Sequence, residues 1–145
     1  MAIAIRSVRA GDHEAWLALW RGYQQFYKAD LSADEGRLWR DLLTAHGDGP
    51  YALVAEADGA ILGLAQYLFH KTTWSAKPRC YLNDLFTHEA ARGKGVGRAL
   101  IEAVRKHANE AGCQQVWWLT QDNNAVARRL YDQVGKLTPF IKYVI

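Results

Sequence analysis

The sequence predicts an α/β fold: one domain built on a mixed (α+β) sheet with helices packed against it. Three observations predict it. Apolar residues recur with period two in some stretches and with helical spacing in others, and the two kinds alternate along the chain. Tyr51 to Ala57 and Ala60 to about Thr73 flank Asp58-Gly59, a strong hairpin signal, so antiparallel strands are present. Arg79 to Thr87, a glycine-rich turn, a long amphipathic stretch and Gln115 to Thr120 then follow in order. A strand–helix–strand unit of that length makes its two strands parallel.

The elements follow in chain order. Ile3 to Val8 alternates as a first strand and is broken by Gly11-Asp12. Asp12 is placed to cap a helix through about Lys28, whose stripe is Trp16, Leu19, Trp20, Tyr23, Phe26 and Tyr27. Trp16 and Trp20 suit the core, while Tyr23 and Tyr27 lie where a substrate pocket would be edged. Ser32-Ala33-Asp34-Glu35 has the form of a capping box, and its helix ends near His46. The hairpin comes next, then a turn at Lys77-Pro78 and the strand Arg79 to Thr87. Val96, Leu100, Ala103, Val104, Ala108 and Ala111 form one helical face that Gly112 ends. Gln115 to Thr120 is nearly all apolar, which predicts cover on both sides. An Asn caps the next helix, and Gly135 stops it. Its stripe is Val126 or Ala127, Leu130 or Tyr131, and Val134. Phe140 to Ile145 is expected to close the sheet as a last strand.

The totals narrow the function. A length of 145 residues suits a single domain, residues 1–145, with half of them apolar. A net charge of +3 without any block of like charges gives no reason to expect nucleic acid. No apolar run is long enough to span a membrane. Cys80 and Cys113 stand far apart without metal-ligand spacing, so no metal is expected and both read as thiols in a reducing compartment. A soluble, cytoplasmic protein is the expectation.

Arg92-Gly93-Lys94-Gly95-Val96-Gly97, followed by Arg98, lies between a strand and a helix N-terminus. Such a turn aims backbone N–H groups and the positive helix end at one point, where phosphate or pyrophosphate fits. A P-loop fails, because His88 and Gly95 stand where glycine and Ser or Thr are needed. A dinucleotide fingerprint fails at Arg98 or Leu100, depending on the starting glycine. R-x-x-G-x-G fits, as Arg92, Gly95 and Gly97. Asn124-x-x-Ala127-x-x-Leu130-Tyr131, with Gly135 beyond, follows in the same order as a second motif.

These two motifs together resemble those of the GNAT superfamily of N-acetyltransferases, and the resemblance runs from the first strand to the last. Tyr81-Leu82-Asn83-Asp84-Leu85 and Trp117-Trp118-Leu119-Thr120-Gln121 resemble the branch of the yeast histone and polyamine acetyltransferases. Lys136 departs from the Phe common in the superfamily, and Asn83 from the acidic residue common in polyamine-binding relatives. The resemblance implies a GNAT-like acyl-CoA N-acyltransferase fold, in which strands Arg79–Thr87 and Gln115–Thr120 splay apart. It implies acetyl-CoA as cofactor, with the pantetheine arm along Leu85, Phe86 and Thr87. The pyrophosphate would lie on Arg92, Gly93, Lys94, Gly95, Val96, Gly97 and Arg98. Asn124, Ala127, Arg128 and Tyr131 complete the cofactor set. Tyr131 is then the candidate acid for the departing thiolate and Asp84 the candidate base, directly or through a water. Tyr23, Tyr27, Trp74 and Asn83 are candidates for the acceptor pocket. A homodimer is implied, with an amine of a small molecule or peptide as partner. An acetyl-CoA-binding sensor or inactive relative is the alternative that the sequence leaves open.

Overall fold

The computed structural model describes residues 1–145. Five strands form one sheet in the order β1 (Ala4–Ser7), β2 (Tyr51–Ala57), β3 (Ala60–His70), β4 (Arg79–Thr87) and β5 (Val116–Trp117). The first four are antiparallel neighbours, and β4 runs parallel to β5. The helices are α1 (His13–Phe26), α2 (Glu35–Leu43), α3 (Val96–Glu110) and α4 (Ala125–Val134).

Successive side chains of a strand point to opposite faces, and each face has its own core. Trp16, Leu19, Trp20, Trp39 and Leu42 of α1 and α2 pack with Ala52 and Leu64. Val96, Leu100, Ile101, Val104 and Ala108 of α3 pack with Leu53, Ala55, Ala65, Tyr67, Cys80 and Leu82. The β2–β3 hairpin turns on Asp58 (φ 51) and Gly59 (φ 76), the two positive values that a two-residue loop matched to strand twist requires. Gly63 sets how close α3 comes to the sheet. A Cβ there would lie 2.7 Å from Val96 Cγ1, so any larger residue would lift the first turn of α3.

Two irregularities shape the end of β4. Gln66 pairs with Asp84 and Tyr67 with Leu82, which leaves Asn83 as the extra residue of a bulge. Leu82 and Asp84 are both buried while Asn83 between them is exposed. The ladder to β5 holds only Cys80 with Val116 and Tyr81 with Trp117. Leu82 to Thr87 continue along β3 without a strand on the other side. This is the expected splay.

Several expectations are corrected. Gln115 to Thr120 forms only the two-residue β5, and its tryptophans are half-buried instead of covered on both sides. Beyond Tyr81 the splay removes the strand against which it would pair. Phe140 to Ile145 is not a strand, and Phe140, Ile141, Tyr143, Val144 and Ile145 are all exposed. A strand needs a neighbouring ladder, and this chain offers the segment none. The stripe of α4 is only half-buried at Leu130, Tyr131 and Val134, and Val126 is exposed, because α4 covers a sheet edge just two residues long. Asp12 does not cap α1 through its side chain. It accepts two bonds from Arg6, at 2.7 and 2.9 Å, and one from Arg9 N at 2.9 Å. The forked guanidinium is the stronger partner. Ser32 forms no capping box either; its hydroxyl donates to Asp30 Oδ1 at 2.6 Å, and a 3-10 turn precedes α2. The second helix ends at Leu43 rather than His46, and β3 at His70 rather than Thr73.

Candidate functional site

The glycine-rich turn is built to leave donors free. A 3-10 turn, Glu89–Ala91, ends β4's approach, and Arg92 is extended. Gly93 (φ 76) and Gly95 (φ 86) then take left-handed conformations that aim the chain into α3. No atom lies within 4 Å of a Cβ at either, so backbone conformation and not crowding demands glycine. The N–H groups from Gly93 to Arg98 have no backbone acceptor; the first bond of the helix is Ala99 N to Gly95 O at 3.0 Å. They open at the positive end of a 15-residue helix. Val96 itself is buried in the core, so only its backbone faces the turn. Arg92 donates to Thr87 O at 3.3 Å and lies over the Phe86 ring, Arg98 bonds Gln133, and the side chain of Lys94 is unpaired. A free row of N–H groups beside cations fits a pyrophosphate.

The splay runs from this turn into a narrow pocket. Its walls are Tyr23, Tyr27, Leu82, Asn83, Leu85, Trp118, Leu119 and Tyr131. The edge of β4 from Leu85 to Thr87 has no neighbouring strand on the β5 side, which suits an amide-bearing arm laid like a strand. On the far side, Asn124 accepts from Ala127 N at 3.4 Å and donates to Thr120 Oγ1 at 3.3 Å, capping α4. That cap orients the helix carrying Tyr131. Trp118 packs edge-on to Tyr131, with ring centroids 5.5 Å apart. Arg128 is turned back to Asp122 O at 2.6 Å. Burial, and then Tyr27, pushes the Tyr131 phenol up to about 12.

Asp84 stands behind the pocket wall. Its Oδ1 accepts from Asn83 Nδ2 at 3.2 Å and its Oδ2 from Gln66 Nε2 at 2.9 Å. Burial raises its carboxyl above the ordinary value, and donors on Gln66, Tyr23 and Asn83 pull it part of the way back. Burial first, and then the facing Asp84, pushes the Tyr23 phenol far above its ordinary range.

The structure therefore brings Tyr23, Tyr27, Asn83, Leu85 and Tyr131 together, with Asp84 one hydrogen bond away. Trp74 does not join them. It is 74% exposed in the β3–β4 loop, with the Arg79 guanidinium over its ring. Gln66 was not among the sequence candidates, although a lone polar residue in the apolar run Ile61 to Phe69 was the available signal. Trp118 and Leu119 were read as part of a strand and of the branch resemblance, not as pocket residues.

Few chemistries need an amide-lined slot that opens from a phosphate cradle, and fold and slot together define an acyl-CoA-dependent N-acyltransferase. The profile of the Acetyltransferase (GNAT) family matches residues 14–135, and the chain belongs to that family. It is 35% identical to the D-amino-acid N-acetyltransferase HPA3 of Saccharomyces cerevisiae, over 97% of this chain and 89% of the yeast protein. The thialysine N-epsilon-acetyltransferase of Bos taurus is 29% identical, over 92% of this chain and 83% of its own. An aminoglycoside acetyltransferase, AAC(6')-Iy, solved with a CoA-linked bisubstrate analogue, shares the fold with a TM-score of 0.85 at 19% identity, over 100% and 98% of the two chains. The chain is an acetyl-CoA-dependent N-acetyltransferase, and the yeast relative agrees with the branch expected from Tyr81–Leu85 and Trp117–Gln121.

Proposed function

We propose that this single domain transfers acetyl to a primary amine that reaches Asp84 as a cation. The observation that carries this reading is a buried carboxylate without a cationic partner, beside a pocket walled by Tyr23, Tyr27, Trp118 and Tyr131. Aromatic faces and a carboxylate both favour an ammonium group. The pocket's volume of about 30 Å³ holds little more than the amino group and a water, so the rest of the acceptor extends outward. D-amino acids and thialysine, named for the relatives, also carry primary amines. Polyamines and lysine side chains fit the same description.

Bound acetyl-CoA supplies the acetyl group as an activated thioester. The protein's share is positioning and proton handling. The N–H row from Gly93 to Arg98, with Arg92 and Lys94, holds the pyrophosphate, and the backbone of Leu85 to Thr87 holds the arm. Asn124 and Ala127 set the α4 end of the slot, and Arg128 and Arg98 add charge around it. An alkyl amine has a pKa of roughly 10.4, so only about one in a thousand is neutral near pH 7.4. Asp84 takes the excess proton, through Tyr23 or a water, because no cation competes for it. Tyr131 keeps its own proton. A phenol pushed up to about 12 would lose about 5 kcal/mol in protonating a thiolate of pKa about 8.5. It therefore donates a hydrogen bond to the leaving sulfur and stabilises its charge.

A homodimer is supported by the apolar residues exposed after α4, and a reducing, cytoplasmic setting by two unpaired cysteines. No helix is long and apolar enough to cross a membrane. The test is CoA thiol release across spermidine, lysine peptides, thialysine, D-amino acids and small amines. Turnover of one class well above the amine-free background is expected. Acetyl-CoA binding without transfer to any of them would point to an acceptor outside the panel or to the sensor alternative.

A further inference from the structure

Asp84 does not hold its place alone. Gln66 is 2% exposed on β3 and bridges Asp84 to α1: its Nε2 donates to Asp84 Oδ2 at 2.9 Å, and its Oε1 accepts from Trp16 Nε1 at 2.8 Å. The Trp16 indole can only donate. The Gln66 carbonyl must therefore face Trp16 and its NH2 must face the carboxylate. The flipped amide would set donor against donor and acceptor against acceptor at once. Trp16 is itself fully buried, with Trp39 at 5.0 Å and Trp20 at 6.3 Å between ring centroids, so the indole cannot turn away. Every link of Trp16–Gln66–Asp84 lies inside the α1 face of the sheet.

We propose that Trp16 and Gln66 are positioning residues for proton transfer: the indole locks the amide, and the amide keeps Asp84 a charged carboxylate with Oδ1 turned toward the pocket. This rests on the reading of Asp84 as proton acceptor. The groups facing Asp84 are all neutral, and among the donors this amide is the one locked in orientation from behind. They are Tyr23 of α1, Tyr27 just beyond its end, Tyr81 on β4 and uncharged Gln66 and Asn83; no Lys, Arg or His is among them. Burial works against the charge, and neutral donors oppose it, Gln66 first and then Tyr23 and Asn83.

The test is the pH dependence of kcat at saturating acetyl-CoA with one amine acceptor, for Gln66→Met and Gln66→Glu. Gln66→Met removes the donor, so the acid limb should move up by about one pH unit, with about a tenfold loss of kcat below the wild-type limb and little loss on the plateau. Gln66→Glu is isosteric and keeps an acceptor for Trp16, but sets a second carboxylate against Asp84. Its limb should move further, as two acids share one proton. Acetyl-CoA affinity by calorimetry should stay within about twofold in both, which a collapsed site would not allow. If Gln66→Met does not fold, the isosteric variant decides alone. A wild-type limb in the folded variants, with Asp84→Asn still strongly impaired, would overturn the positioning role and leave Asp84 as base. Wild-type kcat in Asp84→Asn would overturn the base and the positioning role together.

Discussion

Two carboxylates are buried in this protein, and they are held in opposite ways. Asp12 is 6% exposed and Asp84 is 9% exposed. Asp12 lies in the fork of the Arg6 guanidinium, which also bonds Glu56 at 2.9 Å. Hydrogen bonds from Arg6 are the main reason that its carboxyl sits below its ordinary value, and burial is the opposing effect. At Asp84 burial is the main effect, only neutral donors oppose it, and the carboxyl sits above its ordinary value. A cation inside the fold makes a buried carboxylate a structural joint. Without one, the carboxylate keeps its capacity for a cation that arrives from outside.

The largest test of this contrast is Asp84→Asn. The amide keeps the shape and loses the base, so kcat for amine acetylation should fall by about 10²–10⁴ with acetyl-CoA affinity unchanged. Equal turnover in the variant would make Asp84 as structural as Asp12. The next effect is on stability. Arg6→Met leaves Asp12 buried without its cation and should cost about 3 kcal/mol in urea unfolding, while kcat per folded molecule is retained. Tyr131→Phe separates the two ends of the site: turnover should drop about 10- to 100-fold through loss of one hydrogen bond to the leaving sulfur, without moving the acid limb that Asp84 sets. An altered limb would show that the Tyr131 hydroxyl is coupled to the group that sets it.

The smallest effect is a mirrored pH dependence of stability. Asp12 has a depressed pKa in the fold, so its contribution is present above the unfolded carboxylate value and is lost as pH falls through the folded one. Asp84 has a raised pKa, so the folded state binds its proton more tightly than the unfolded chain does. Its charge costs stability above the folded pKa and nothing below the unfolded one. Asp84→Asn should therefore raise stability by about 1 kcal/mol at neutral pH, with the gain vanishing in acid. Asp12→Asn should lose stability at neutral pH, and that loss should shrink in acid. Thermal unfolding between pH 3 and pH 8 reads both.

Local features were legible because short-range chemistry decides them. Asp58-Gly59 forms its hairpin, Gly93 and Gly95 take positive φ, and Asn124 caps α4, each by rules that span a few residues. Asp12 had the right chemistry for a cap but lost that role to Arg6, six residues earlier on a neighbouring element. Phe140 to Ile145 is rich in β-branched and aromatic residues like a strand, yet pairing depends on an edge that no local pattern can guarantee. Trp74 looked as suitable for a pocket as Tyr27, and only the path of the β3–β4 loop separates them.

By itself the sequence determined the mixed sheet, its crossover and the donor-rich turn, because periodicity, glycine and capping residues act within a few positions. Tertiary structure alone decided that Asn83 bulges, that β5 is two residues long, that Trp16 meets Gln66 50 positions away and that Gln66 meets Asp84 18 positions away. Those contacts depend on how α1 docks on β3 and how β4 twists beside it. Docking sums weak packing over many residues, and no short stretch of sequence carries that sum.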